Sequence, residues 1–118
     1  MREAYAHDAA LAMAADADTR APGAAVTQEL CGHWEHEPPC PLAPHHTAAE
    51  RRGGGVRLRI VFVTDPAREE EVRRRIGRAL ERGRLDGPAG TVRWRLLTTA
   101  PGVLAAGERQ HASSLMEG

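Results

Sequence analysis

Cys31, His33, His36, Cys40, His45 and His46 fall within sixteen consecutive residues, Cys31-Gly32-His33-Trp34-Glu35-His36-Glu37-Pro38-Pro39-Cys40-Pro41-Leu42-Ala43-Pro44-His45-His46. Both cysteines of the chain, four of its six histidines and four of its eight prolines lie here. Thiolate and imidazole are the ligands that zinc and other borderline transition metals take, in near-tetrahedral sets of four. The stretch therefore predicts a metal site, zinc first, with Cys31, His33 and Cys40 as ligands and His45 or His46 completing the set. His36 is the reserve ligand, and Glu35 or Glu37 can accept a spare imidazole N–H. The prolines stiffen the connection and reduce the entropy lost when it closes on an ion.

The signal is the clustering, because the spacing C-x-H-x-x-H-x-x-x-C-x-x-x-x-H-H matches no standard zinc-finger pattern. Two other chemistries use the same residues. Cys31 and Cys40 can form a disulfide or redox pair, and either can act as a nucleophile beside a histidine, or a metal-bound water can act with Glu35 or Glu37 as base. Nothing else in the chain supports an enzyme. Gly53-Gly54-Gly55 precedes a strand instead of opening a helix, the reverse of a phosphate cradle. A structural or regulatory ion is the reading that follows.

Length and charge bound what surrounds the stretch. A chain of 118 residues suits one domain that buries roughly two-thirds of its unfolded surface. Aromatic residues are 3%, so Val, Leu and Ile with Trp34, Phe62 and Trp94 must make the core. All sixteen basic residues are arginine, which reflects codon bias before function. Residues 1–50 carry two Arg against eight Asp/Glu, net −6, and residues 51–118 carry fourteen against eight, net +6. The total is zero, which does not make a polyanion binder. Arg57, Arg59, Arg93 and Arg95 could still line a sheet face for nucleic acid, but Phe62 and Trp94 fall on the opposite register, away from any stacking role. Nucleic acid is thus an unfavoured partner. No apolar run approaches the ~18 residues of a membrane span, and the alanine-rich start is broken by His7 and Asp8 where a signal peptide needs an apolar core. A cytoplasmic protein is expected, in which close cysteines favour metal or redox use.

The elements that must position the stretch follow from periodicity. Residues 3–17 have high helix propensity and a thin stripe of Tyr5, Leu11 and Met13, predicting a weak N-terminal helix; with a turn at Pro22-Gly23 it forms a segment 1–22 ahead of a single α/β domain over 23–118. Val26, Leu30 and Trp34 on one side, and Thr27, Glu29, Cys31 and His33 on the other, predict a strand over 25–35 that turns Cys31 and His33 the same way. Residues 47–55 read as a flexible return. Val56, Leu58, Ile60 and Phe62 predict a strand over 56–64. Asp65 caps a helix with Pro66 in its first turn, Val72, Ile76, Ala79 and Leu80 on its buried face, Glu69/Arg73, Glu70/Arg74 and Glu71/Arg75 as pairs four apart, and Gly83 as its left-handed end. A loop over 84–90 leads to a strand over 91–98 with Val92, Trp94 and Leu96 inward, and Val103, Leu104, His111 and Leu115 suggest a last helix within 101–116. Strand, helix, strand over 56–98 is a βαβ unit with paired parallel strands. The whole is an α+β two-layer sandwich, a small open three-stranded sheet with helices on one face and flanking N- and C-terminal helices, which in architecture alone resembles a truncated ferredoxin-like fold.

Overall fold

The computed structural model describes residues 2–31 and 43–117. It is a mixed α and β structure built on a four-stranded antiparallel sheet: β1 (Glu3–Ala12), β2 (His45–Arg52), β3 (Gly55–Thr64) and β6 (Arg95–Gly102), in the spatial order β2-β3-β1-β6. Helices α1 (Ala21–Cys31) and α2 (Glu69–Arg82) cover one face, and α3 (Ala106–Glu117) packs on the other. A separate hairpin pairs β4 (Arg84–Gly87) with β5 (Gly90–Arg93).

β3 shows how sequence produces this arrangement. Val56, Leu58, Ile60 and Phe62 enter the main core with Leu11, Val26, Leu30, Ile76, Leu80 and Trp94. Val61 and Val63 point the other way and meet Ala112 of α3. Because both sides are covered at its end, the strand reads Ile-Val-Phe-Val without a polar residue, as a doubly buried strand should. The α2 expectations are met: Asp65 accepts from the Ala67 N–H, Pro66 opens a 3-10 turn (Pro66–Arg68), Val72, Ile76, Ala79 and Leu80 are buried, and Gly83 caps the helix at φ 69°. A Cβ at Gly83 would also lie 2.7 Å from the Trp94 carbonyl oxygen. The Trp94 indole N–H donates to the Leu80 carbonyl at 2.9 Å, tying the strand back to the helix.

Several expectations are corrected. Residues 3–12 form β1, a central strand, and not a helix. Tyr5, His7, Ala9, Leu11 and Met13 alternate with period two, and pairing with β3 on one side and β6 on the other outweighs the helix propensity of alanine. Residues 21–31 form α1 and not a strand. Val26 and Leu30 are four apart, a spacing that keeps two residues on one face in either period, while the buried set Ala21, Ala25, Val26 and Leu30 fits only the helical one. Pro22 and Gly23 sit in the first turn, where a missing N–H costs nothing. Residues 45–52 are a paired edge strand instead of a flexible return. The strand expected over 91–98 breaks at Trp94 into β5 and β6, and the loop expected over 84–90 holds β4. β3 and β6 run the same way but do not pair: β1 lies between them, antiparallel to both, so the crossover through α2 is a split β-α-β. The sheet therefore has four strands, and α3, found within the segment expected to end in a helix, lies on the face opposite α1 and α2.

Candidate metal centre

Three of the six sequence-nominated ligands, His33, His36 and Cys40, lie outside the described residues, as do Trp34, Glu35 and Glu37. Cys31 is the last residue of α1. The argument that Cys31 and His33 share one face of a strand therefore has no basis, since Cys31 is in a helix. His45 and His46 open β2.

What positions these residues is the docking of α1 on β2. A Cβ at Gly23 would sit 3.1 Å from the Thr47 Cγ2, so glycine there allows the first turn of α1 to approach the strand closely. One turn later the Thr27 hydroxyl lies 2.9 Å from the His45 Nε2. Positions 23 and 27 thus face 47 and 45 in antiparallel sense. The next position on that helical stripe, four residues on, is 31. The two ends of the Cys/His stretch, the end of α1 and the start of β2, are consequently held side by side by the Gly23–Thr47 approach and the Thr27–His45 hydrogen bond.

His45 has a defined electronic state. Its Nδ1 lies 3.1 Å from the Ala43 carbonyl oxygen. A carbonyl can only accept, so Nδ1 carries the proton and Nε2 keeps its lone pair. Burial pushes the imidazole below the ordinary histidine pKa, with the neighbouring His46 adding to the effect against the Ala43 hydrogen bond. The Thr27 hydroxyl has one proton and two acceptors in reach, the Gly23 carbonyl at 3.1 Å and His45 Nε2 at 2.9 Å. His45 is therefore a neutral imidazole whose tautomer is fixed by a backbone carbonyl, the state in which histidine ligates metals through Nε2. Nε2 borders a crevice of about 380 Å³ lined by Thr19, Arg20, Gly23, Thr27, His45, His46, Thr47 and Ala49.

His46 has a different setting. Neighbouring residues of a strand emerge on opposite faces, and His46 pairs with Val61, on the α3 side of the sheet. Its ring meets that of His111 edge-on, with centroids 4.9 Å apart and planes at 65°. One ion cannot take both His45 and His46 from the two sides of the sheet. Among the described residues no three His, Cys, Asp or Glu side chains converge as a metal set.

The third histidine of interest, His7, is part of the core. It is buried, its Nδ1 accepts from Arg73 Nη1 at 3.0 Å, and its Nε2–H donates to the Thr99 hydroxyl at 2.7 Å. Burial first, and the Arg73 charge second, lower its pKa to about 4. Arg73 also lies over the rings of Phe62 and Tyr5, at 5.3 and 5.8 Å from their centroids, and binds Glu69 at 2.8 Å. These groups satisfy one another, which is what a buried polar cluster needs for stability and leaves none free for chemistry.

Of the four arginines nominated as a nucleic-acid face, three lie in the four-stranded sheet and one does not. Arg93 belongs to the β4-β5 hairpin, away from the sheet of Arg57, Arg59 and Arg95. Arg59 is engaged by Asp8 at 2.7 Å, by Glu108 and by the Val103 carbonyl. Arg57 stands opposite Glu50 in the β2-β3 register. Acids interleave the bases, which is the opposite of an electrostatic footprint for phosphates. No helix among the described residues is long and apolar enough to cross a membrane.

Set beside protein-family models, curated proteins and solved structures, the chain matches none. The site must be read from its own geometry. Sequence reasoning found His45 and His46 but missed Gly23 and Thr27, because it placed them in a turn and a strand. It took His111 only as a mark of the last helix, and no spacing rule joins positions 46 and 111.

Proposed function

We propose that this is a small metal-binding α+β protein that takes one borderline ion such as zinc between the end of α1 and the start of β2. Cys31 and His45 are the ligands at the two fixed ends, and Cys40 with His33 or His36 complete the set. The observation that carries the reading is the placement of His45: its Nδ1 is bonded to the Ala43 carbonyl and its Nε2 lies 2.9 Å from the Thr27 hydroxyl of α1, the helix that ends at Cys31. Ion entry requires the Thr27 hydroxyl, 2.9 Å from Nε2, to swing aside, since a metal about 2.0–2.1 Å from that nitrogen does not fit between the two atoms. The ion is structural or regulatory. Apart from Ala43, the described core is built from residues outside the stretch, so the metal holds the connection and not the sheet.

Native mass spectrometry of the purified chain, with and without a chelator, tests this. One bound ion per chain, removed by the chelator, is expected. Loss of a group that merely orients a metal ligand costs about 10–100-fold in affinity, so Cys40→Ser and His45→Gln, which remove proposed ligands themselves, should each cost at least about tenfold. Thiolates and imidazoles must be deprotonated to bind, so affinity falls with acid. Circular dichroism should keep most of its helical signal after chelation. Retention of no ion, with Cys31 and Cys40 oxidised to each other, would replace this reading with a disulfide.

A further inference from the structure

A second histidine pair lies across the sheet from this crevice, on elements far apart in sequence. His46 of β2 and His111 of α3 line a cavity of about 260 Å³ together with Ala48, Arg59, Val61, Gly107 and Glu108. We propose that His46 and His111 form a separate two-histidine site for a borderline divalent cation, which fastens α3 to the sheet edge.

The ring geometry suits one ion. Zinc binds an imidazole nitrogen at about 2.0–2.1 Å, which places each ring centroid about 3.2 Å from the metal and, at a tetrahedral angle, two centroids about 5.2 Å apart. The observed separation is 4.9 Å. The charged residues that line the cavity, Glu108 and Arg59, neutralise each other, and Asp8 binds Arg59 as well, so no net positive charge opposes a cation. The orientation of His111 is set by its neighbour: Ala112 is fully buried against Val61 and Val63, which fixes the rotation of α3 about its axis. Imidazole donors with open positions for water select zinc, nickel or copper over magnesium or calcium. The site does not depend on the cysteines, since His45 and His46 emerge on opposite faces.

The test is a zinc titration of the full-length chain, followed by side-chain NMR of the histidines and by amide exchange over residues 106–117. Zinc should shift the His46 and His111 imidazoles together and slow exchange in α3. His111→Gln and His46→Gln should each weaken this response at least about tenfold, and the double variant should lose no more than either single one. Both side chains are exposed, so the variants should fold, which circular dichroism checks. Cys31→Ser with Cys40→Ser should leave the response unchanged. Because that double variant abolishes the α1/β2 site instead, failure of one site is distinguishable from failure of the other. An edge-on aromatic pair falls at the same distance. Rings that do not respond to zinc, or a His46 response that survives His111→Gln, would show such a pair and overturn the proposal.

Discussion

The two faces of the sheet are held by different forces. Toward α1 and α2, Phe62, Leu11, Leu58, Ile60, Ile76 and Leu80 are fully buried, and His7 is paired with Arg73 and Thr99. Toward α3, the apolar contact among the described residues comprises Val61, Val63 and Ala112 with Ala4 and Leu104 at its margin, and Arg59 joins β1, β3 and α3 through Asp8, Glu108 and Val103. The first face rests on area removed from water, at roughly 25 cal/mol per Å². The second rests on charge in partly exposed surroundings, where ion pairs contribute little each. Stability thus concentrates on one side of the strands. The side with less apolar cover is the one where His46 and His111 stay accessible.

The comparison breaks most sharply at Phe62. Phe62→Ala removes the largest fully buried side chain and the stacking partner of Tyr5, 5.5 Å away. A loss of about 3–5 kcal/mol is expected, read as a shift in the denaturant midpoint, whereas a change confined to α3 would contradict the division drawn here.

Acid separates the faces next. His7 binds a proton near pH 6.5 when unfolded but only at about 4 in the fold, so the unfolded chain holds more protons between those values. Its contribution is complete above the unfolded pKa and is lost as pH falls from 6.5 toward 4, on the order of 3 kcal/mol in all. Glu108 is lowered from 4.5 to about 2, chiefly by Arg59. Its contribution is present above 4.5 and is lost only as pH falls from there toward 2. The helix-covered face should therefore weaken first on acidification. Chemical denaturation at several pH values checks this, and stability independent of pH between 7 and 4 would refute it.

The smallest effect is expected at the hub of the other face. Arg59→Ala should cost about 1–2 kcal/mol, because its side chain is 31% exposed and its pairs are screened accordingly. Amide exchange should rise in residues 106–117 and remain unchanged in α2. Equal loosening of both would show that the two faces are not separable.

Much of the second half of the chain was legible in its sequence. β3, the Asp65-Pro66 start, the buried stripe of α2, the Gly83 cap and the inward Trp94 each carry a local signal that tertiary packing reinforces. The first half was read with its periods exchanged. Alanine fills both β1 and α1, and its small side chain marks neither a stripe nor an alternation, so helix propensity was left to decide β1 and the even spacing of Val26 and Leu30, which suits either period, decided α1. The β4-β5 hairpin was hidden for a related reason. Its strands have four residues each, and the Gly87-Pro88-Ala89-Gly90 turn reads as a loop from either side. For the site, the clustering of Cys and His was visible, but the division of His45 from His46 needed the direction of β2, and the partnership with His111 needed the docking of α3.

The position of β1 also sets an order of events. This strand precedes both of its partners in the chain, β3, which ends at Thr64, and β6, which ends at Gly102. Neither side of β1 can be closed until long loops have been brought together, so the rate-limiting step of folding must come late and carry a large loop entropy. A nascent chain that stops short of residue 95 would display β1 with one edge bare, a template for pairing with other chains. Expression at lower temperature, or with a holdase chaperone present, should improve the yield of native protein more than any substitution in its core.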